Sequence, residues 1–275
     1  MPQSIEERRA AFRKLHESGC FLIPNPYDIG TARYLAGMGF KALATTSSGS
    51  AYPLGKPDGG LSVEQVLEHI RTIVDATDLP VNADFEHGYA EDEDGLAANV
   101  KACVATGVAG LSIEDSTGVN DHPLFDFDEA VQRMKVTRKA IDETGANVML
   151  IGRAEGFIAG HPDLDDVLQR LQAYSEAGAD CLYAPGLTTR EQIEAVVQAA
   201  APKPVNVLIG RPIGFSLDDL ASMGVRRVSV GGALAAAAWG GFIRAAEALK
   251  TGSFDGFAQN ANGRELGAFF RTYAE

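Results

Sequence analysis

Short apolar runs alternate with amphipathic stretches along the chain. The apolar runs lie near residues 21–24, 41–46, 80–84, 110–114, 147–153, 181–184, 204–208 and 226–230. Most of them are apolar at consecutive positions, as expected for parallel strands that are buried on both faces. The stretches between them, such as 93–105 and 127–143, carry apolar residues at helical spacing. The pattern therefore predicts eight strands separated by helices.

A repeated junction indicates where the helices end. Gly stands directly before an apolar run in MGFKALATTS, TGVAGLSIED, TGANVMLIGR, AGADCLYAPG and MGVRRVSVGG. Gly at the first position after a helix adopts a left-handed backbone without steric cost. Repetition of this unit favours a single-domain (β/α)8 TIM-type barrel over an open doubly wound sheet, and no GxGxxG follows the first strand. We expect one domain over 1–275, with the barrel at about 20–245 and a C-terminal helical extension at about 246–275.

Composition narrows the class of partner and the cell compartment. A formal net charge of -13 and a pI near 4.8 argue against a nucleic-acid or anionic-membrane partner. The three cysteines are scattered without metal-ligand spacing, as is typical of buried thiols in a reducing compartment. The charged N-terminus does not resemble a signal peptide, and no apolar run is long enough to span a bilayer. The expected location is the cytoplasm.

Polar side chains gather where the predicted strands end. In a barrel of this type, the C-terminal strand ends and the loops after them form the active site. The residues at these positions are Thr45, Thr46, Ser47, Ser48, Asn82, Asp84, Glu86, Glu114, Arg153, Glu155 and Asn206. Several strands therefore direct polar groups to one mouth of the barrel.

An oxygen-rich cluster at this mouth predicts a metal site. Asn82 and Asp84 occupy alternate positions of one strand and share a face, and Glu114 ends the next strand. Oxygen ligands without Cys or paired His favour a hard cation, Mg²⁺ or Mn²⁺. The alternative is a structural role for Asp84 and Glu114, as helix caps or as partners of an arginine.

Arg153 is the cation of the predicted mouth. Its guanidinium is suited to a substrate carboxylate or phosphonate, and the alternative is a structural ion pair with Glu114 or Glu155. Lys41 and Lys203 fall at or before strand starts, at the opposite end of the barrel, which argues against a lysine-imine mechanism.

Loop residues give weaker signals. Asp58 lies in PLGKPDGG, where ordinary turn chemistry explains it on sequence grounds alone. His87 and His122 lie on loops at the predicted mouth. Asp58, Glu86 and His122 are candidate acids or bases by position only.

The combination and order of motifs resemble the isocitrate lyase/phosphoenolpyruvate mutase superfamily. The motifs are NPYDIGTARYLAGMGFKALATTSSG, LGKPDGG, LPVNADFEHGY, GVAGLSIED and a strand ending in Arg153. The resemblance extends from about residue 10 to about residue 245. It implies a (β/α)8 barrel, a homodimer or homotetramer with an exchanged C-terminal helix, and a Mg²⁺-bound 2-oxo or 2-hydroxy acid.

The resemblance also implies residue roles. The implied substrate contacts are Tyr27, Thr45, Thr46, Ser47, Arg153 and Asn206; the implied metal site is Asn82, Asp84, Glu86 and Glu114; the implied catalytic groups are Asp58, Glu114 and Arg153. Asn82 stands where the family has the first acid of a D-A-D pattern, so either Glu86 compensates or metal binding is weaker.

A second departure concerns the loop STGVNDHPLFD, which follows Glu114-Asp115. It contains neither the K-K-C-G-H segment of the family's lyases nor the gate lysine of its mutases, although Asn120 remains a candidate gate residue. Isocitrate and methylisocitrate lyase activities are therefore not expected, and phosphoenolpyruvate mutase activity loses support.

Three functions follow from these features. The first is a Mg²⁺-dependent lyase that cleaves a C–C bond of a small 2-oxo or 2-hydroxy acid through an enolate. The second is P–C bond chemistry on a phosphonate such as phosphonopyruvate. The third is a barrel that binds an oxo acid without turning it over.

Overall fold

Eight parallel strands form the interior of the molecule in a computed structural model that describes residues 3–119 and 121–273. The strands are β1 Phe21–Ile23, β2 Leu43–Ala44, β3 Val81–Asp84, β4 Gly110–Glu114, β5 Met149–Arg153, β6 Cys181–Tyr183, β7 Val205–Leu208 and β8 Arg227–Ser229. Their order is β1-β8-β7-β6-β5-β4-β3-β2, and the amide of Ala44 donates to the carbonyl of Pro24 (3.1 Å) across the remaining gap. The predicted (β/α)8 barrel is confirmed.

Helices surround the strands, one or more after each strand. They are α1 Ile5–Leu15, α2 Ile29–Gly37, α3 Ser47–Ala51, α4 Val63–Ala76, α5 Glu93–Ala105, α6 Phe127–Glu143, α7 Leu164–Glu176, α8 Arg190–Ala200, α9 Leu217–Ser222, α10 Ala233–Lys250 and α11 Gly263–Arg271. Capping boxes fix several starts; the hydroxyl of Ser62 accepts from the amide of Gln65 (3.4 Å) and begins α4.

The second strand is shorter than the predicted 41–46. The sheet ends at Ala44, and Thr46 caps α3 by accepting from the amide of Gly49 (3.5 Å). Thr is a common helix cap because its side-chain oxygen satisfies an amide in the first turn. The early end of β2 places the hydroxyl-rich segment after Ala44 at the barrel mouth.

Apolar side chains fill the barrel interior at the end where the strands begin. Phe12 of α1 is fully buried and packs with Ile23, Met149 and Ile151 inside the barrel. This layer fills the N-terminal end of the barrel.

The C-terminal helix packs on its own chain. The ring of Phe269 in α11 lies 4.9 Å from that of Tyr34 in α2, and a side chain at Gly37 would fall 2.6 Å from Phe269. The single-domain boundaries and the exchange of this helix between subunits stay predictions. In the described part of the chain, no helix combines the length and apolar character needed to cross a membrane.

Candidate active site

A cavity of about 190 Å³ opens at the C-terminal ends of the strands. Its walls come from strands on both sides of the barrel. The residues that line it include Asn25, Thr45, Thr46, Ser47, Ser48, Asp58, Asn82, Asp84, Ser112, Ile158, Arg153, Tyr183, Leu208, Arg227, Ser229, Gly231 and Gly232. The cavity is small and many of its lining side chains carry hydroxyl, amide or charged groups, which suits a small acid.

The segment after β2 forms one wall of this cavity. The amide of Asp84 donates to the hydroxyl of Thr45 (2.9 Å), and the amide of Ser47 donates to Oδ2 of Asp84 (3.0 Å). The side-chain amide of Asn25 donates to the carbonyl of Thr45 (2.8 Å). These bonds hold residues 45–47 against β3 in one position.

Arg153, at the end of β5, is the centre of an ion cluster that includes Asp84. Its Nη1 lies 3.1 Å from Oδ1 of Asp84 and 3.1 Å from Oε2 of Glu114, and its Nε pairs with Glu155. The guanidinium also lies over the ring of Tyr183, 5.0 Å from the centroid. Arg153 is therefore surrounded by carboxylates as well as lining the cavity.

Burial and charge oppose each other in this cluster. Burial raises the pKa of Glu114, and Glu155 and Asp84 raise it further, although Arg153 lowers it. Burial disfavours the Arg153 cation, but Glu114 and the other anions outweigh that effect and hold the pKa of Arg153 well above its usual value. The guanidinium thus remains charged, and the cluster has more negative than positive groups.

A buried network fixes the position of Glu155. Oδ1 of Asp115 accepts from the amide of Glu155 (2.7 Å). Oδ2 of Asp115 accepts from the hydroxyl of Tyr174 (2.6 Å) and from Nη1 of Arg170 (3.2 Å). Because every oxygen of Asp115 has a partner, the strand end that carries Arg153 and Glu155 is rigid.

Glu86 follows β3 outside the lining of this cavity, in an unusual backbone conformation with φ of 44°. The hydroxyl of Tyr89 donates to its carboxyl group. Burial raises the pKa of Glu86 to about 7, with further contributions from Asp84 and Asp58, while Tyr89 and Arg153 oppose the rise. Glu86 therefore titrates near neutral pH, in the range that suits proton transfer.

Arg227 lies on the cavity floor. It is only 2% exposed; its Nε donates to Oδ1 of Asn206 (2.8 Å) and its Nη1 donates to Oδ1 of Asn82 (3.4 Å). Asn206 in turn donates to the hydroxyl of Ser229 (3.0 Å). Within residues 3–119 and 121–273, Arg227 forms no ion pair with a carboxylate.

The structure brings most of the predicted site residues together. Thr45, Thr46, Ser47, Asp58, Asn82, Asp84 and Arg153 line the cavity. Glu114 and Asn206 do not line the cavity, but each contacts a residue that does: Glu114 contacts Arg153 and Asn206 contacts Arg227. The roles of these residues stay predictions.

Other predicted residues lie elsewhere. Tyr27 lines a separate apolar cavity of about 690 Å³ with Leu234. Glu86 does not belong to the lining, and His122 is exposed on the loop after β4. Asn120 lies outside the described residues.

Sequence reasoning missed several lining residues, chiefly Asn25, Ser112, Tyr183, Arg227 and Ser229. One signal for Arg227 was available. It stands at an inward position of RRVSV, a strand that the fold buries on both faces, and an arginine is rarely buried there without a role. The other residues are of types that occur in any strand.

The predicted Mg²⁺ site can be compared with these contacts. Both oxygens of Asp84 are engaged, by Ser47 and by Arg153, and the oxygen of Asn82 accepts from Arg227. In the described part of the chain, no group of three or more His, Cys, Asp or Glu side chains is arranged to hold a metal ion. The residues present therefore do not fit a resident Mg²⁺ in this arrangement.

Comparisons with known proteins agree with the barrel. The profile of the phosphoenolpyruvate phosphomutase family matches residues 12–250. An oxaloacetate decarboxylase of Rhodopseudomonas palustris (strain ATCC BAA-98 / CGA009) is 33% identical over 262 residues, which cover 90% of this chain and 86% of the relative.

Solved structures extend the comparison. A Burkholderia cenocepacia J2315 protein, provisionally described as a lyase/mutase, is 44% identical with a TM-score of 0.93 and 97% coverage of both chains. A 2,3-dimethylmalate lyase, a member of the PEP mutase/isocitrate lyase superfamily, is 25% identical with a TM-score of 0.82, covering 95% of this chain and 91% of its own.

Proposed function

Because the chain belongs to the phosphoenolpyruvate phosphomutase family, in the PEP mutase/isocitrate lyase superfamily, we propose that it is a lyase for a small 2-oxo or 2-hydroxy acid. The reaction is cleavage of a C–C bond that leaves an enolate. In a 2-oxo acid such as oxaloacetate, the bond lies between the carbon beside the carbonyl group and the carboxyl group that leaves as CO₂; in a 2-hydroxy acid, it is the bond next to the hydroxy carbon, whose hydroxyl proton a base removes. The observation that carries the proposal is the cavity of about 190 Å³, which combines Arg153 with hydroxyl groups at the strand ends. Two of its relatives, an oxaloacetate decarboxylase and a 2,3-dimethylmalate lyase, bear names of C–C bond-cleaving enzymes.

The cavity walls supply the binding groups. In the proposal, the hydroxyls of Thr45 and Thr46 and the segment at Ser47 hold the substrate carboxylate. Arg153 lines the same cavity and in the proposal orients the far anionic group, which lowers the entropic cost of reaching the reactive geometry. A cavity of this volume excludes large substrates, so we infer a small diacid, with oxaloacetate the first to test.

The bond that breaks leaves its electron pair on the carbon beside the carbonyl group. That pair delocalises onto the carbonyl oxygen, and the enolate carbon later takes a proton. Asp58 lines the cavity and is our candidate for the proton donor or acceptor. Glu86 lies outside the lining but close enough for the charge of Asp58 to raise its pKa. A carboxyl group with a pKa of about 7, as in Glu86, is suited to exchange that proton with Asp58 and solvent at neutral pH.

The resemblance predicts a Mg²⁺ or Mn²⁺ ion as the Lewis acid for such an enolate. Because the described side chains do not present a fitting ligand set, the proposal assigns the ion no step. Whether turnover depends on the ion is tested directly with a chelator.

The second candidate function is P–C bond chemistry on a phosphonate. The name of the matching family supports it, and the same cavity and Arg153 would serve a phosphonate. We rank it second because the loop after β4 lacks the gate lysine of the mutases. The third, an oxo-acid-binding barrel without turnover, is the outcome to accept if nothing reacts.

The test is a substrate panel followed by NMR. The panel contains oxaloacetate, other 2-oxo acids, 2-hydroxy diacids and phosphonopyruvate, each with and without EDTA. The proposal predicts two carbon fragments from at least one oxo or hydroxy acid, at a rate that falls about 100-fold in Arg153→Met. Arg71→Met, which removes an exposed cation of α4, is the matched control and should react like the wild type. Phosphate or a phosphoester as the product would favour the second candidate.

A further inference from the structure

The cavity holds two arginines in very different electrostatic settings. Arg153 has three carboxylates as ion-pair partners, Asp84, Glu114 and Glu155. Arg227 has amide oxygens as its hydrogen-bond partners and no ion pair in the described part of the chain. The charge of Arg227 is therefore the uncompensated cationic charge in the cavity.

An uncompensated cation in a barrel interior is costly. Removing a guanidinium from water is expensive unless an anion or a full set of acceptors replaces the lost hydration. Arg227 is 2% exposed, and its Nη2 has no hydrogen-bond partner among residues 3–119 and 121–273. A binding partner from solution, an anion in the cavity, would satisfy both the charge and the free amino group.

The surrounding side chains hold the guanidinium in one position. Asn206, on the neighbouring strand β7, accepts from Nε of Arg227 and is itself held by its bond to Ser229. The Arg227 side chain is therefore anchored to β7. Across the barrel, Asn82 accepts from Nη1, and a side-chain carbon at Gly110 would fall 2.8 Å from the Asn82 oxygen. Gly110 therefore leaves the space that the Asn82–Arg227 contact needs.

The neutral amide at Asn82 is essential to this arrangement. An aspartate at the same position would pair with the guanidinium and cancel its charge, because the two atoms that now form the hydrogen bond are 3.4 Å apart. With Asn82, the guanidinium is oriented and its charge remains available. A divalent cation bound to the Asn82 oxygen would instead compete with Arg227 for that oxygen and repel it.

We propose that Arg227 supplies the positive charge that stabilises the enolate, so that the reaction of this chain requires no divalent metal ion. This inference rests on the proposed lyase function and names the group that meets the developing charge. As the C–C bond of an oxo acid such as oxaloacetate breaks, its carboxyl group leaves as CO₂, and the electron pair of the bond moves to the adjacent carbon and onto the carbonyl oxygen. Nη2 of Arg227 donates a hydrogen bond to that oxygen, and the carbon later takes a proton from Asp58 or water. A fixed guanidinium that is aimed at the developing charge is an effective stabiliser of that charge.

The competing interpretation is that Arg227 only braces the barrel interior through its two amide partners. The two interpretations differ in what they predict for anion binding. If Arg227 has only a structural role, an Arg227 variant should be less stable, but the folded variant should bind anions with unchanged affinity. If Arg227 binds the anion, the affinity should fall.

The probe is oxalate, a planar dianion that resembles the enolate of pyruvate in shape and charge. Its affinity is measured by isothermal titration calorimetry in EDTA, and again with Mg²⁺ after subtraction of the heat of Mg²⁺–oxalate association. We expect wild-type affinity to be equal within about twofold in the two conditions. We expect Arg227→Met to lose at least about tenfold in affinity, the effect of one charged hydrogen bond. Arg71→Met is the control.

A second variant covers the case in which Arg227→Met does not fold. Asn82→Asp keeps the arginine and adds the anion that would neutralise it, so oxalate affinity in EDTA should again fall at least about tenfold. The double variant N82D/R227M has a carboxylate at position 82 and no guanidinium at position 227. It should bind oxalate only when Mg²⁺ is added. Thermal unfolding and circular dichroism establish that each variant is folded.

The outcomes separate this inference from the lyase proposal. Wild-type binding or turnover that EDTA abolishes and Mg²⁺ restores would overturn the role of Arg227 and leave the lyase standing. Unchanged oxalate affinity in both folded variants would show that Arg227 is a brace. EDTA-resistant, Arg227-dependent binding with no turnover of any panel acid would keep the anion site and refute the lyase.

Discussion

Substituting Arg153 with methionine should destabilise the protein strongly at neutral pH and much less in mild acid. Arg153 is the shared cation of Asp84, Glu114 and Glu155, whose side chains are 16%, 10% and 5% exposed. Methionine keeps much of the packing volume but leaves these carboxylates without a counter-ion. Removing one partner of a buried ion pair costs about 3 to 5 kcal/mol, and the shared cation keeps the three losses from being additive.

The pH dependence follows from the direction of the pKa shifts. Burial already raises the pKa values of Glu114 and Glu155, and loss of Arg153, which lowers both, would raise them further. A carboxyl group with a raised pKa in the folded state binds more protons there than in the unfolded state. The variant's stability relative to the wild type should therefore fall as pH rises from the unfolded pKa of about 4.3 through the raised folded pKa.

Urea denaturation followed by circular dichroism measures this effect. With a slope of about 3 kcal/mol per molar urea, a loss of 3 to 5 kcal/mol lowers the midpoint by about 1 to 2 M at pH 8. The difference in urea midpoint between the variant and the wild type should be smaller at pH 5. Arg71→Met breaks an exposed pair (2.8 Å to Glu68) and should cost about 1 kcal/mol or less at both pH values. Equal midpoints for the two variants at pH 8 would refute the reasoning.

Three further substitutions test other contacts. Tyr89→Phe removes the hydrogen bond that lowers the pKa of Glu86, so that pKa should rise above about 7, measured by carboxyl NMR titration; an unchanged value would contradict the assignment of Tyr89. Asp115→Asn removes a buried anion that accepts from three donors, and urea denaturation should show that the free energy of unfolding falls by about 3 kcal/mol. A loss as small as that of Arg71→Met would exclude a structural role for Asp115. Gly110→Ala brings a carbon to 2.7 Å from the buried ring of Phe12 and to 2.8 Å from the Asn82 oxygen, so both the unfolding temperature and the oxalate affinity should fall, measured by thermal unfolding and calorimetry; unchanged values of both would contradict the close packing at Gly110.

The alternation of apolar and amphipathic segments was enough to predict the barrel. All eight strands occur where the pattern placed them, and the helices Glu93–Ala105 and Phe127–Glu143 match their predicted limits. The pattern overestimated β2, because apolar character cannot show that Thr46 leaves the sheet to cap a helix. Local hydrogen bonding decided that boundary.

The site was predictable only in part, for a physical reason. Residues at strand ends could be assigned to one mouth, and Asp84 and Arg153 do meet there at 3.1 Å. Contacts across the barrel depend on the stagger of distant strands, which adjacent sequence does not encode. Asn82 was therefore interpreted as a weakened metal ligand, whereas its oxygen faces Arg227 from the opposite side of the barrel.

The most direct test of the central claim is ¹H NMR of oxaloacetate in D₂O containing EDTA, with wild-type protein, with Arg153→Met and without enzyme. The account predicts that the wild type forms pyruvate faster than the enzyme-free control. It also predicts deuterium on the carbon that carried the broken bond and near-background rates in the variant. A wild-type rate equal to background in EDTA that Mg²⁺ raises would keep the lyase and remove Arg227 from its mechanism. A background rate under both conditions, repeated for the other oxo and hydroxy acids of the panel, would contradict C–C cleavage at this site.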